Sequence, residues 1–165
     1  MLRTACNGFL DGEATPQSPG IQVESSTSKI PVNTQVYVKK DVGEDVQTKI
    51  AYADQTFRAM GMTDEQVLWT LALIDHESAG TWSETVKGDA GCSTGIAQWN
   101  ACVGRKAPST YEGQVKLIGE EMLKKYQEFE IEIAVGKHNA PAWDTNYNYS
   151  NKVKNAKNNF TLIAQ

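Results

Sequence analysis

From Val46 onward the apolar residues fall at helical spacing. Val46, Ile50, Ala53 and Phe57 mark one face of a helix that Gly61 stops. Thr63, with Gln66 three residues later, forms a capping box. Val67, Leu68, Leu71 and Ile74 then line a second helix, which ends near Ser78-Ala79-Gly80. A third helix is predicted from Gln114 to Phe129, with Val115, Ile118, Met122 and Tyr126 on one face, and a last one from Asn151 to Ile163. Between them, residues 84–100 are rich in Gly and small polar side chains, the composition of a hairpin-like lobe. Upstream of Val46 the pattern changes. Thr15-Pro16-Gln17-Ser18-Pro19-Gly20 and Ser25-Ser26-Thr27-Ser28 are turn formers, and Val32, Thr34, Val36 and Val38 alternate weakly, as in one strand open to pairing with another protein.

The chain therefore divides into an extended, linker-like arm at 1–45 and a folded domain at 46–165. With 165 residues, four Trp, six Tyr and four Phe, it has enough material for one core. No apolar stretch approaches the roughly 20 residues of a membrane span, so none is expected. Asp11 and Glu13 interrupt the N-terminus before any apolar run, so no secretory signal is expected either. A net charge of −4 and the lack of a basic stripe argue against nucleic acid as a partner. Lys152, Lys154 and Lys157 read as a solvated helix face. Cys92 and Cys102 can bridge in an oxidising compartment, leaving Cys6 free, and the lack of C-x-x-C spacing argues against zinc.

The chemistry concentrates between Leu73 and Asn100. Helical spacing sets Glu77 over Thr70, Leu73 and Ile74, at the edge of an apolar face and at the negative end of the helix dipole. Both influences disfavour the carboxylate and raise its pKa. A carboxylic acid still protonated near neutral pH suits protonation of a glycosidic leaving oxygen. Asp89 lies in a Gly-rich loop, and a fold-back there brings it across a cleft from Glu77. Asp75, two residues from Glu77 on the same helix, points elsewhere. Gly91 and Gly95 permit a close backbone approach, while Ser93, Thr94 and Gln98 offer neutral partners for sugar hydroxyls and N-acetyl groups. Trp82 and Trp99 are either stacking platforms for sugar rings or core residues.

Glu77-Ser78 followed by Gly88-Asp89-x-Gly91-x-x-x-Gly95-Ile96-x-Gln98 resembles the active-site run of goose-type lysozymes and soluble lytic transglycosylases. Tyr149-Ser150-Asn151-Lys152-Val153 is similar to that family's Tyr-x-x-x-Val. The run Gly95 to Trp99, with Arg105, Gln114, Val115, Ile118, Glu121 and Met122, also resembles phage tail-associated lysozyme domains. The resemblance covers about residues 46–160. It implies a mainly α, lysozyme-like α+β fold, in which a helical lobe and a small Gly-rich lobe face each other across a substrate cleft.

The resemblance further implies a peptidoglycan glycosidase, a lysozyme or lytic transglycosylase that cuts between N-acetylmuramic acid and N-acetylglucosamine. Glu77 is then the catalytic acid and Asp89 the water-positioning carboxylate. Ser78, Ser93, Gln98, Trp99 and Tyr149 are the expected substrate-binding residues. No metal or cofactor is called for. Action outside the cytoplasm, delivered by a virion or an export machine whose proteins would meet the arm at 1–45, is the matching expectation.

The sequence departs from the family in two places. It carries no Tyr-Asn-Ala-Gly segment, the nearest stretch being Asn146-Tyr147-Asn148, and Asn100 stands where goose-type lysozymes have a second Asp. The choice between hydrolysis and transglycosylation therefore stays open, with Asp89 favouring the former. Two rival readings remain. One is a cysteine amidase or endopeptidase using Cys92 or Cys102 with His138. The other is a non-catalytic assembly component of a virion or secretion apparatus.

Overall fold

A computed structural model describes residues 35–140 and 144–164. The arm expected at 1–45 lies outside the described residues as far as position 34, together with Cys6 and the turn-rich segments. Its last stretch belongs to the fold. Strand β1 (Gln35–Lys39) pairs antiparallel with β5 (Phe160–Ala164), Val36 facing Ile163 and Lys39 facing Phe160.

Two expectations are corrected by this pairing. The alternating strand meets the chain's own C-terminal segment rather than another protein, and the last helix does not run to Ile163. That helix, α5 (Tyr147–Ala156), gives way to a 3₁₀ turn at Lys157–Asn159 before β5. Asn158 and Asn159 are poor helix formers, whereas Phe160, Thr161 and Ile163 suit a strand once a partner strand is present.

The predicted helices form around these ends. Helix α1 (Glu44–Ala59) buries Ile50, Ala53 and Phe57 and stops at Gly61, whose φ of +90° suits glycine. Buried Asp54 on the same helix accepts the Tyr37 backbone N–H at 2.6 Å and pairs with Arg58, which ties β1 to α1. Helix α2 (Asp64–Glu77) starts with the predicted capping box, Thr63 Oγ1 accepting from the Gln66 N–H at 3.3 Å and Gln66 Oε1 from the Thr63 N–H at 2.9 Å. Val67 and every residue from Trp69 to Asp75 are buried, so α2 is the central helix, enclosed on nearly all sides.

Helix α3 (Tyr111–Glu128) begins three residues earlier than the apolar pattern suggests, because Thr110 caps it by accepting the Gly113 N–H at 3.1 Å. Its predicted face of Val115, Ile118, Met122 and Tyr126 is buried. A short helix the pattern did not announce, α4 (Ile131–Gly136), joins α3 to α5.

The Gly-rich segment folds into a small three-stranded antiparallel sheet, β2 (Lys87–Gly88), β3 (Ser93–Thr94) and β4 (Trp99–Asn100), with Gly88 facing Ser93 and Ser93 facing Asn100. A Cys92–Cys102 disulfide closes it. Gln114 of α3, fully buried, holds this lobe to the helices. Its Oε1 accepts the Ile96 N–H at 2.9 Å, and its Nε2 donates to the carbonyls of Glu84 at 2.9 Å and Pro108 at 2.8 Å. The architecture is thus mainly helical, with two small antiparallel sheets. Among the described residues no helix is long and apolar enough to cross a membrane.

Candidate active site

Glu77 is the last residue of α2. The chain turns sharply after it. Ser78 ends the helix, the Gly80 N–H reaches back to the Asp75 carbonyl at 2.8 Å, and Gly80 has φ +75°. This leaves the Glu77 side chain half-buried at the mouth of the helical lobe. The hydroxyl of Tyr149, on α5, donates to Glu77 Oε1. Burial pushes the Glu77 carboxyl above its ordinary range. The Tyr149 hydrogen bond pulls it back, and the charge of nearby Asp89 pushes it further up. Tyr149 is itself raised well above an ordinary phenol by burial and by the Glu77 charge, so it remains a donor.

Asp89 stands exposed on the small lobe, close enough for its charge to act on Glu77. The Ser93 hydroxyl donates to Asp89 Oδ2 at 2.6 Å and fixes the carboxylate. The backbone around it is unusual. Asp89, Ala90 and Gln98 have φ of +47°, +54° and +48°, and Ala79 and Trp82 beyond Glu77 have φ of +50° and +55°. Each such non-glycine residue costs on the order of 1 kcal/mol, and conformations of this kind concentrate at functional sites.

The structure reassigns several predicted substrate contacts. Ser78 is fully buried, and its Oγ accepts the Trp82 N–H at 3.2 Å, so it shapes the turn after α2. Ser93 is 2% exposed and serves Asp89. Trp99 is equally buried, its indole N–H donating to Glu121 at 3.2 Å, and Trp82 is fully buried with its N–H on Asp75 at 3.0 Å. Both tryptophans take the core alternative, because too little of either ring reaches solvent for a sugar to stack on it. Gln98 is half-buried. Its Nε2 donates to the Gly95 carbonyl at 2.8 Å, while its Oε1 occupies the space over Gly88, where a Cβ would come within 2.1 Å. Tyr149 keeps its place beside Glu77, acting on the carboxyl itself.

Asp75 faces the other way, paired with Lys39 at 2.5 Å, and takes no part in the site. The cysteine amidase reading fails, since both of its candidate nucleophiles are consumed in the disulfide. Among the described residues no group of three or more His, Cys, Asp or Glu could hold a metal ion.

The sequence offered His138 only as the base of a cysteine enzyme. It instead packs its ring 6.4 Å from that of Tyr149 and touches the Ala97 carbonyl. A lone histidine between Lys137 and Asn139 gives no local signal of such packing.

Comparisons of the chain with protein-family models, with curated proteins and with solved structures each return no match.

Proposed function

We propose that this chain has a lysozyme-like fold and cleaves the glycan strands of bacterial peptidoglycan, with Glu77 as general acid. One observation carries the reading: a carboxyl group at the end of a buried helix, raised by burial and held by Tyr149, feels the charge of a second, solvated carboxylate on the small lobe. This contrast of environments divides acid from base in carboxylate glycosidases. Protonated Glu77 delivers its proton to the oxygen linking N-acetylmuramic acid to N-acetylglucosamine. Asp89, fixed by Ser93, orients the attacking water on the opposite face. Hydrolysis needs that second carboxylate, whereas transglycosylation through the substrate's own hydroxyl does not. The care taken to hold Asp89 favours hydrolysis. Of Gln98, only the carboxamide oxygen remains to meet substrate, since its nitrogen is engaged within the hairpin.

The reaction calls for no metal or cofactor. Its setting is outside the cytoplasm, where the Cys92–Cys102 disulfide is at home. Delivery by a virion or a secretion apparatus, with the residues before β1 as the attachment, completes the proposal.

The test is digestion of purified sacculi by the parent and by Glu77→Gln, followed by mass spectrometry of the products. Reducing sugar ends released by the parent alone support a Glu77-dependent hydrolase, and 1,6-anhydro ends a transglycosylase. Cut peptides, or equal release by Glu77→Gln, refute the proposal. A purely assembly role predicts no release at all.

A further inference from the structure

We propose that His138 is a positioning residue that locks the Gly-rich lobe in its working conformation, and that it does so only as the neutral imidazole. The proposal depends on glycan cleavage for its effect on rate, but not for its structural content.

The geometry starts from the peptide unit between Ala97 and Gln98. Gln98 has φ +48°, a region that non-glycine residues seldom occupy, so this peptide plane must be held from outside. Both of its polar groups are held. The Gln98 N–H donates to the Gly95 carbonyl at 3.1 Å, and the Ala97 carbonyl lies 3.3 Å from His138 Nε2. A carbonyl can only accept, so Nε2 carries a proton, and in the neutral ring Nδ1 is the bare nitrogen. Nδ1 is buried without a hydrogen-bond partner. The same ring packs against Tyr149, which donates to Glu77. His138 therefore touches both sides of the candidate site, the backbone that turns Gln98 and the tyrosine that holds the acid.

The surroundings oppose a second proton. Lys125 and Glu121 face the ring from α3, Arg105 from the loop before it, and Tyr149 from α5. Glu121 is the only carboxylate among them, and it is already committed. Arg105 Nη2 donates to both its oxygens at 3.0 and 2.9 Å, and the Trp99 indole to one of them at 3.2 Å. Burial, with Lys125 next in effect, holds the ring well below the usual histidine range. An imidazolium would aim a new N–H into a buried space with no acceptor. Strong acid should therefore eject the ring and release Ala97, while mild acid leaves the lock intact.

The experiment combines ring-nitrogen NMR with two variants. The chain has two histidines, His76 and His138, so ¹⁵N-histidine labelling of the parent and of His138→Phe assigns both rings. The expected result is that His138 stays in the Nε2–H tautomer at about pH 5.5, where an ordinary imidazole is mostly charged. An Nδ1–H tautomer, or a ring mostly protonated at that pH, would overturn the proposal.

Further acidification should move the Gln98 amide resonance of the parent as the ring takes its second proton. In His138→Gln, which keeps a donor but cannot titrate, that movement should vanish. Identical titrations in both proteins would overturn the lock. On sacculi, His138→Phe should turn over roughly ten- to hundredfold more slowly with KM little changed, and His138→Gln should recover most of that loss. Equal rates for all three would refute the positioning role. If the parent releases nothing, the proposed function falls, and the NMR measurements still decide the lock.

Discussion

The hydroxyl of Tyr149 donates to the carboxyl of Glu77 across 72 residues of chain, joining the C-terminal helix to the end of the central one. Because the bond favours the carboxylate, it opposes the burial that raises the Glu77 carboxyl. Tyr149→Phe should therefore raise the Glu77 pKa and move the alkaline limb of kcat/KM on sacculi to higher pH. The maximum rate should fall as the carboxyl loses its fixed orientation. A limb moving to lower pH would contradict this account.

Asp89 acts with the opposite sign. Its charge raises Glu77, so Asp89→Asn should move the same alkaline limb to lower pH. If Asp89 also positions water, hydrolysis should slow by roughly 10²- to 10⁴-fold, the usual range for a general base. Ser93→Ala should produce a weaker version of the same defect, since the Ser93 hydroxyl holds Oδ2. Product mass spectra and initial rates measure both.

Glu77→Gln should lose activity and gain stability. The folded state holds the Glu77 proton more tightly than the unfolded chain does, because burial raises the group. Stability tied to that proton is complete below the ordinary carboxyl pKa of about 4.3 and is lost as pH climbs through the raised value. Gln carries no such penalty. The Tm of Glu77→Gln should match the parent in acid and exceed it near neutrality, as read by calorimetry across pH.

The small lobe should also respond to changes that leave both carboxyl side chains in place. Reducing the Cys92–Cys102 bridge, or replacing both residues with Ser, removes a ten-residue closure and should cost about 2–3 kcal/mol. Hydrogen exchange should show the loss concentrated at 87–102.

Gln114→Ala orphans the Ile96 N–H and the carbonyls of Glu84 and Pro108, and should cost about 3 kcal/mol. Gly88→Ala makes a sharper probe. Its Cβ would come within 2.1 Å of Gln98 Oε1, so it should displace Gln98 and slow turnover while leaving the thermal stability of the helical lobe unchanged.

What the sequence determined by itself is whatever depends on neighbours a few residues apart. The faces of α1, α2 and α3 follow from apolar spacing, the start of α2 from Thr63 and Gln66, and the ambiguous environment of Glu77 from its place at a helix end. The tertiary structure decided everything that hangs on distant partners. Phe160–Ala164 is a strand because Gln35–Lys39 lies beside it, since a ladder bond needs two segments. Trp99 belongs to the core because its indole N–H finds Glu121 of α3, 22 residues on. Local pattern fixes which way a side chain points along its own element. Only packing determines whether solvent, a carboxylate or another lobe is waiting there.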